Sequence, residues 1–375
     1  MKDIFAELET SNKPIIGCIP LYPPLELFHS MGFIPIVLWG LKNFVHNLDE
    51  SDKHLQDYTC SIARYLMQFV LEKNHTLFDG VFTYNACDTL RNIPELIKSG
   101  LIKNDAVIPM YKIHIPMTIY DEEYVANYIK YEIVNLINQL ELDFGARYSD
   151  KKFIESVDLF RNMRKRFSIL EDLVKRNLLN FSEYVKTVHQ NYFLPVEKQL
   201  EVVDDIINNT KKETINIDES NSKNESVNII LSGILPPPIS ILEFIESLNM
   251  NIIGNDIASL TRFNAFTPDQ STFNNAPEYY IRFYRKHFPC TTLLFTSKRR
   301  IQKVIDLALE SSAKGLIFIG EKFCEYENFE IPHLKKALTE HGIKVLALEF
   351  SIDDEKNIES FNTRIEAFYE LLKKS

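Results

Sequence analysis

Glycine is scarce in this chain, 11 of 375 residues, and tryptophan occurs once. There is no Gly-x-Gly-x-x-Gly turn and no Walker-type phosphate loop, which argues against ATP hydrolysis by the chain itself. The nine histidines never fall into a His-Glu-x-x-His spacing. The five cysteines include no Cys-x-x-Cys pair, which argues against a zinc finger or a thioredoxin-type site, and five in a chain of this length make no disulfide framework. Basic residues are in deficit, 42 Lys and Arg against 52 Asp and Glu, for a net charge of −10. A nucleic-acid footprint and a basic membrane arm are therefore both missing. The longest apolar run, near Gly32 to Leu41, is shorter than the roughly 20 residues a membrane helix needs. Met1 to Glu7 carries no apolar stretch ahead of a small-residue cleavage site. The chain is expected to be cytoplasmic, with neither nucleic acid nor membrane as a partner.

Hydrophobic residues make up 45% of the chain, enough for large cores in two or three domains. Short apolar strands are expected at Pro14 to Pro20, Phe33 to Trp39, Leu77 to Tyr84 and Ala106 to Met110. Helices are expected at Leu25 to Met31, Tyr58 to Glu72 and Leu90 to Ser99. From Asp121 to Ile207 the pattern is helical only: Val125, Ile129, Ile133 and Ile137 line one face, with further helices at Phe153 to Arg164, Phe167 to Arg176, Phe181 to Tyr192 and Glu197 to Ile207. Asn208 to Ser226 is polar and of low complexity, and reads as a linker loop. A second alternation follows. Its strands are expected at Val227 to Leu231, Asn251 to Asn255, Gly315 to Ile319 and Lys344 to Phe350. Its helices are expected at Pro238 to Leu248, Arg299 to Ser311, Pro332 to His341 and Ile358 to Lys373. The expected fold class is α/β: two parallel-sheet, Rossmann- or flavodoxin-like domains with a helical segment between them. The corresponding domains are 1–120, a helical segment 121–207, a linker 208–226, and 227–375.

Cys60, Cys87 and Cys324 each fall where a strand or loop runs into a helix, the place where α/β proteins put functional groups. A helix start favours thiolate through its free N–H groups and dipole. Three thiolates gathered from such positions could hold an iron–sulfur cluster and leave one iron without cysteine. A single cysteine is more often a small apolar core residue; the shared address separates these three from that default. Cys18, inside an apolar strand, reads as core, and Cys290 lies in an irregular stretch.

These residues resemble the 2-hydroxyacyl-CoA dehydratase family, which includes benzoyl-CoA reductase subunits. The resemblance spans most of the chain. It runs through Tyr22-Pro23-Pro24-Leu25-Glu26 with Gly32-Phe33-Ile34-Pro35, then Cys60-Ser61-Ile62-Ala63-Arg64 and Cys87-Asp88. Further blocks are Asn255-Asp256 with Arg262, Lys322-Phe323-Cys324-Glu325 with Glu330-Ile331-Pro332, Leu346-Ala347-Leu348-Glu349, and Arg364-Ile365-Glu366-Ala367-Phe368. His29-Ser30-Met31-Gly32 departs from the family's small residues before this glycine.

The resemblance implies that Cys60, Cys87 and Cys324 bind one [4Fe–4S] cluster between the two α/β domains. It implies a heterodimer of homologous subunits, of which this chain looks like the smaller, beta one. A separate ATP-dependent iron–sulfur activator would inject one electron. The reaction would be radical, syn-type removal of water from a (R)-2-hydroxyacyl-CoA, through a ketyl, to give a 2-enoyl-CoA. A beta-type chain need not contain the acid or base that touches substrate, so the resemblance carries over only the cluster ligands. Two alternatives stay open: a component of a benzoyl-CoA-reductase-like or double-cubane low-potential reductase, and a non-catalytic electron-transfer or assembly subunit.

Other residues have double readings. Glu26 is either a buried carboxylate facing the site or a helix-capping acid. Arg64, one turn after Cys60, either neutralises cluster charge or makes a structural ion pair. Asp88 suits a helix-start acid. The run Lys298-Arg299-Arg300 is either a CoA-phosphate contact or a solvated charged face. Tyr279, Tyr280, Phe283 and Tyr284 form a stripe at helical spacing, more often core than a CoA platform.

Overall fold

A computed structural model of the chain describes residues 8, 11–72, 77–103, 107–118, 122–215, 226–287, 289–290, 297–352 and 358–374. They form two compact units, one of residues 1–163, 190–199 and 265–295, the other of residues 164–189, 200–264 and 296–375. Each unit holds a four-stranded sheet paired entirely in parallel, which establishes the α/β class and its two flavodoxin-like sheets.

In the first unit, β1 (Ile15–Cys18), β2 (Ile34–Val37), β3 (Gly80–Tyr84) and β4 (Met110–Ile113) are ordered β2-β1-β3-β4. Helices α1 (Leu25–Ser30), α2 (Ser61–Glu72) and α3 (Asp88–Lys103) connect them. β1, β2 and β3 are buried throughout, which is why they appear in sequence as unbroken apolar runs.

The fourth strand starts at Met110, later than its expected span of Ala106 to Met110; Ala106 itself lies outside the described residues. Pro109 cannot donate to a ladder, and it contributes only its carbonyl, to Val81 N–H at 2.9 Å. The register therefore begins at the Val81–Met110 pair.

Four long helices follow: α4 (Glu123–Phe144), α5 (Asp150–Lys175), α6 (Phe181–Asn191) and α7 (Val196–Ile215). Two expectations are corrected here. The helices anticipated at Phe153 to Arg164 and Phe167 to Arg176 are one, α5, because nothing at Lys165-Arg166 breaks a helix. Residues 208–215, read as linker, continue α7. Lys and Glu are good helix formers, and Thr210 satisfies its hydroxyl on Ile206 O at 2.9 Å. The remainder of the linker, 216–225, lies outside the described residues.

In the second unit, β5 (Val227–Gly233), β6 (Met250–Ile257), β7 (Gly315–Glu321) and β8 (Lys344–Phe350) are ordered β6-β5-β7-β8. This repeats the first sheet's topology strand for strand. The helices are α8 (Ile239–Ser247), α10 (Ser297–Glu310), α11 (Glu325–Asn328), α12 (Ile331–Glu340) and α13 (Ile358–Lys373). Helix α9 (Ala276–Lys286) precedes α10 in sequence but packs on α4 in the first unit. The second core gathers Ile230, Leu316 and Phe318 with Val304, Ala308 and Leu338.

β5 ends on Gly233, where an added Cβ would sit 2.3 Å from Ile319 O on the neighbouring strand. Gly233→Ala is expected to lower stability by about 3 kcal/mol through this overpacking. Chemical denaturation should show a reduced midpoint at unchanged slope.

Candidate functional site

In both sheets the chain leaves the first strand to one side and returns on the other. The carboxyl ends of β1 and β3, and of β5 and β7, are therefore topological switch points, where open α/β sheets place their ligands. Cys87 lies three residues beyond Tyr84, the last residue of β3. Cys324 lies three residues beyond Glu321, the last residue of β7. The two cysteines thus hold equivalent positions in the two sheets. Cys60 immediately precedes α2, whose helix packs against α3, the helix that follows Cys87. All five cysteines lie outside disulfides; Cys60, Cys87 and Cys324 are of intermediate exposure, whereas Cys18 and Cys290 are buried.

Each of the three turns has its own fastening. Before Cys60, the Gln68 side chain accepts from Glu50 and Ser51 N–H at 2.9 Å each. Arg64 forks onto Asp52 at 2.8–3.0 Å, so the ion-pair reading of Arg64 holds. Ahead of Cys87, the Asn85 amide accepts from Ile115 N–H at 2.7 Å and donates to Ile115 O at 3.1 Å. The sulfur of Cys87 accepts from Leu90 N–H at 3.4 Å. The lowered pKa expected at this helix start is reversed, because burial pushes the Cys87 thiol up further than the Leu90 and Thr89 N–H groups pull it down. Asp88 stands in the first turn of α3, paired with Arg91 at 3.1 Å.

Around the Cys324 turn the fastening is ionic and buried. Arg262, 0% exposed, reaches Asp256 at 3.2 Å and Glu327 at 3.1 Å, and donates to Asp256 O at 3.0 Å and to Gly233 O. Arg300, 2% exposed, reaches Asp256 at 3.0 Å and Glu327 at 3.3 Å, and also pairs with Glu330. Burial and the neighbouring Arg262 push the pKa of Arg300 down, but Glu327, Asp256 and Glu330 together outweigh them, so it stays charged. Three carboxylates face two guanidiniums. At Glu330, burial raises the carboxyl pKa more than Arg300 lowers it. Both readings of Lys298-Arg299-Arg300 therefore fail at Arg300, which is neither solvated nor open to a phosphate. Lys298 and Arg299 are exposed.

Glu26 is fully buried in the first turn of α1. Tyr279 and Tyr280, on α9, each donate a phenol to it at 2.8 Å, and Tyr284 donates to Tyr22 O at 3.1 Å. The aromatic stripe is core, as its spacing implied. His29, the departure before Gly32, holds Ser156 at 2.7 Å and Glu197 at 3.1 Å, tying α1 to α5 and α7.

The second unit also contains a cavity of about 250 Å³ lined by Glu171, Tyr184, Asn255, Thr261 and Leu307 among others. Its carboxylate, Glu171, accepts from Tyr184 and Thr261 hydroxyls at 2.7 Å each, while burial pushes its pKa up. Nearby in sequence, His189 bonds Ser259 at 3.1 Å, and burial lowers its pKa to about 4. The unfolded chain would bind this proton near pH 6.5, the folded one only near 4. The neutral ring's contribution is thus complete above pH 6.5 and shrinks as pH falls toward 4. His189→Gln is expected to flatten the loss of melting temperature between pH 6.5 and 4 relative to wild type. Parallel profiles for the two proteins would refute this.

Among the described residues, no helix is long and apolar enough to cross a membrane. No three His, Cys, Asp or Glu side chains among them are grouped to hold a single metal ion; a four-iron cluster sets its thiolates further apart than one ion does.

Comparison with known proteins gives full-length matches. The chain is 28% identical over 382 residues to the (R)-phenyllactyl-CoA dehydratase beta subunit of Clostridium sporogenes, covering 99% of this chain and 95% of that one. It is 24% identical to the (R)-2-hydroxyglutaryl-CoA dehydratase subunit beta of Acidaminococcus fermentans, with 99% and 96% covered. It is 22% identical to the lactoyl-CoA dehydratase subunit beta of Anaerotignum propionicum, with 99% and 94% covered. The family profile described as 2-hydroxyglutaryl-CoA dehydratase, D-component, matches residues 20–372, and the chain belongs to that family of hydro-lyases.

Proposed function

We propose that this chain is the beta-type iron–sulfur subunit of a (R)-2-hydroxyacyl-CoA dehydratase, with Cys60, Cys87 and Cys324 as the thiolate ligands of one [4Fe–4S] cluster. The observation that carries this reading is the cysteines' address. Cys87 and Cys324 occupy the same position beyond β3 and β7, at the switch point of each sheet, and Cys60 opens the helix packed beside α3. The donor set fits the group. None of the three is in a disulfide, none is sealed, and each lies directly before a helix. Three cysteines leave one of four irons without a protein sulfur. When bound, such a cluster supplies one-electron chemistry.

The chain's own residues do the positioning. Asn85 holds the Cys87 turn to Ile115, Gln68 and Arg64 hold the loop before Cys60, and the Arg262–Arg300 lattice flanks the Cys324 turn. The proposal places ATP hydrolysis on a separate activator, and the lack of a phosphate loop in this sequence supports it. The beta-subunit names of the relatives support a homologous partner subunit. The substrate is a 2-hydroxyacyl-CoA and the product a 2-enoyl-CoA, by removal of water. The test is anaerobic purification with co-expressed partner and activator. Brown protein with about four iron atoms per chain, and dehydration only when all three proteins are present, are expected. A colourless, iron-free chain after anaerobic reconstitution overturns the proposal.

A further inference from the structure

The turn that carries Cys324 is poorly supported by ordinary packing. Helix α11 has four residues, and Glu327 alone among them is buried. A helix that short does not persist by itself. Its flanking aromatics face outward, Phe323 at 53% and Phe329 at 74% exposure. Phe323 also takes a left-handed backbone, φ +63°, which a bulky side chain adopts only when its surroundings impose it. Cys324 N–H donates to Glu321 O at 3.1 Å, and Asn328 N–H closes onto Cys324 O at 3.0 Å. Thiol and carboxylate thus project from one turn, and Glu327 is the buried residue of its helix.

The anchor is doubly held. Glu327 Oε1 accepts from Arg262 at 3.1–3.2 Å and lies 3.3 Å from Arg300. Through Arg262 it is bound to the last residue of β5 and to β6; through Arg300 it is bound to Ser232, Asp256 and the start of α10. Buried ion pairs of this kind contribute little net stability compared with well-packed apolar residues, so net stability alone does not account for this cluster.

We propose that Arg262 and Arg300, acting through Glu327, are positioning residues that set where Cys324 presents its sulfur. This rests on the reading of Cys324 as a cluster ligand. The experiment uses the full-length chain, iron-free and reconstituted. Glu327→Gln keeps the shape and removes the charge. In the iron-free chain it is expected to speed hydrogen exchange across residues 322–330 at least tenfold. The alkylation rate of Cys324 relative to Cys87 should change at least threefold, with exchange in β1 and β3 unmoved. After reconstitution, the spin-resonance spectrum of the reduced cluster should shift. Should Glu327→Gln fail to fold, Arg300→Lys retains charge but loses the fork, and is expected to move the same alkylation ratio in the same direction. An unmoved ratio with normal exchange at 322–330 overturns the proposal. A wild-type chain that takes up no iron, yet whose Cys324 turn is loosened by Glu327→Gln, overturns the cluster reading and supports the anchor.

Discussion

Iron is expected to fall from about four atoms per chain to nearly none when Cys324 is replaced by serine. A serine hydroxyl stays protonated where a cysteine thiol can ionise, so the substitution removes one of three thiolates without adding a competent donor. Cys60→Ser and Cys87→Ser should do the same, because either leaves only two thiolates, and half of four irons without a protein sulfur. The contrast lies in the other two cysteines. Cys18 is sealed on β1 and Cys290 is equally sealed. Replacing either by alanine should leave the iron content at the wild-type level and lower the melting temperature instead, since each removes buried volume. Iron and acid-labile sulfide, measured on anaerobically purified variants alongside far-ultraviolet dichroism, separate the two classes. A Cys60→Ser, Cys87→Ser, Cys324→Ser triple variant that still carries four irons would sink the assignment.

The difference in burial between Cys18 and the three candidate ligands is legible in the sequence for a physical reason. Buried parallel strands are nearly continuous apolar runs ended by polar or turn residues, so β5 and β7 begin at their expected residues, Val227 and Gly315. Once strand ends are known, residues just beyond them stand out, and Cys87 and Cys324 do so. Features defined by partners far away in sequence were not legible. Glu327 meets Arg262 across 65 positions, and Glu26 meets its tyrosines across 253 and 254. Glu26 could be read equally as cap or core, and Arg300 sat in a basic run that looked solvated. Local composition misled in two further places: the polar 208–215 stretch is helix, with Lys211, Lys212 and Glu213 as good helix formers continuing α7, and Pro109 delayed β4 by removing a donor.

Folding of the first unit is expected to fail, or to lose about 3–5 kcal/mol, when Glu26 is replaced by alanine. Its carboxylate is fully buried at the start of α1, and its two oxygens receive phenols from Tyr279 and Tyr280 at 2.8 Å. Tyr280 Oη also accepts from Leu27 N–H at 3.2 Å, so the phenol links carboxylate and helix backbone. Hydrogen bonds to an ionised group contribute about 1.5–3 kcal/mol each, and truncation leaves polar groups in a cage that water cannot easily refill. The pKa of Tyr280 is pushed well up, by burial first and by the Glu26 charge next, so the tyrosine remains a donor at any physiological pH. Glu26→Gln keeps volume and one acceptor but substitutes an amide that donates where the second phenol also donates. It should therefore cost less than alanine but still destabilise. Tyr280→Phe in the Glu26→Gln background tests the coupling: the double variant should lose less than the sum of the singles, because the phenol removed is the one the amide can no longer satisfy. Strict additivity in denaturant unfolding would place the stabilisation in the aromatic packing of Phe153, Tyr279 and Phe283 rather than in the carboxylate.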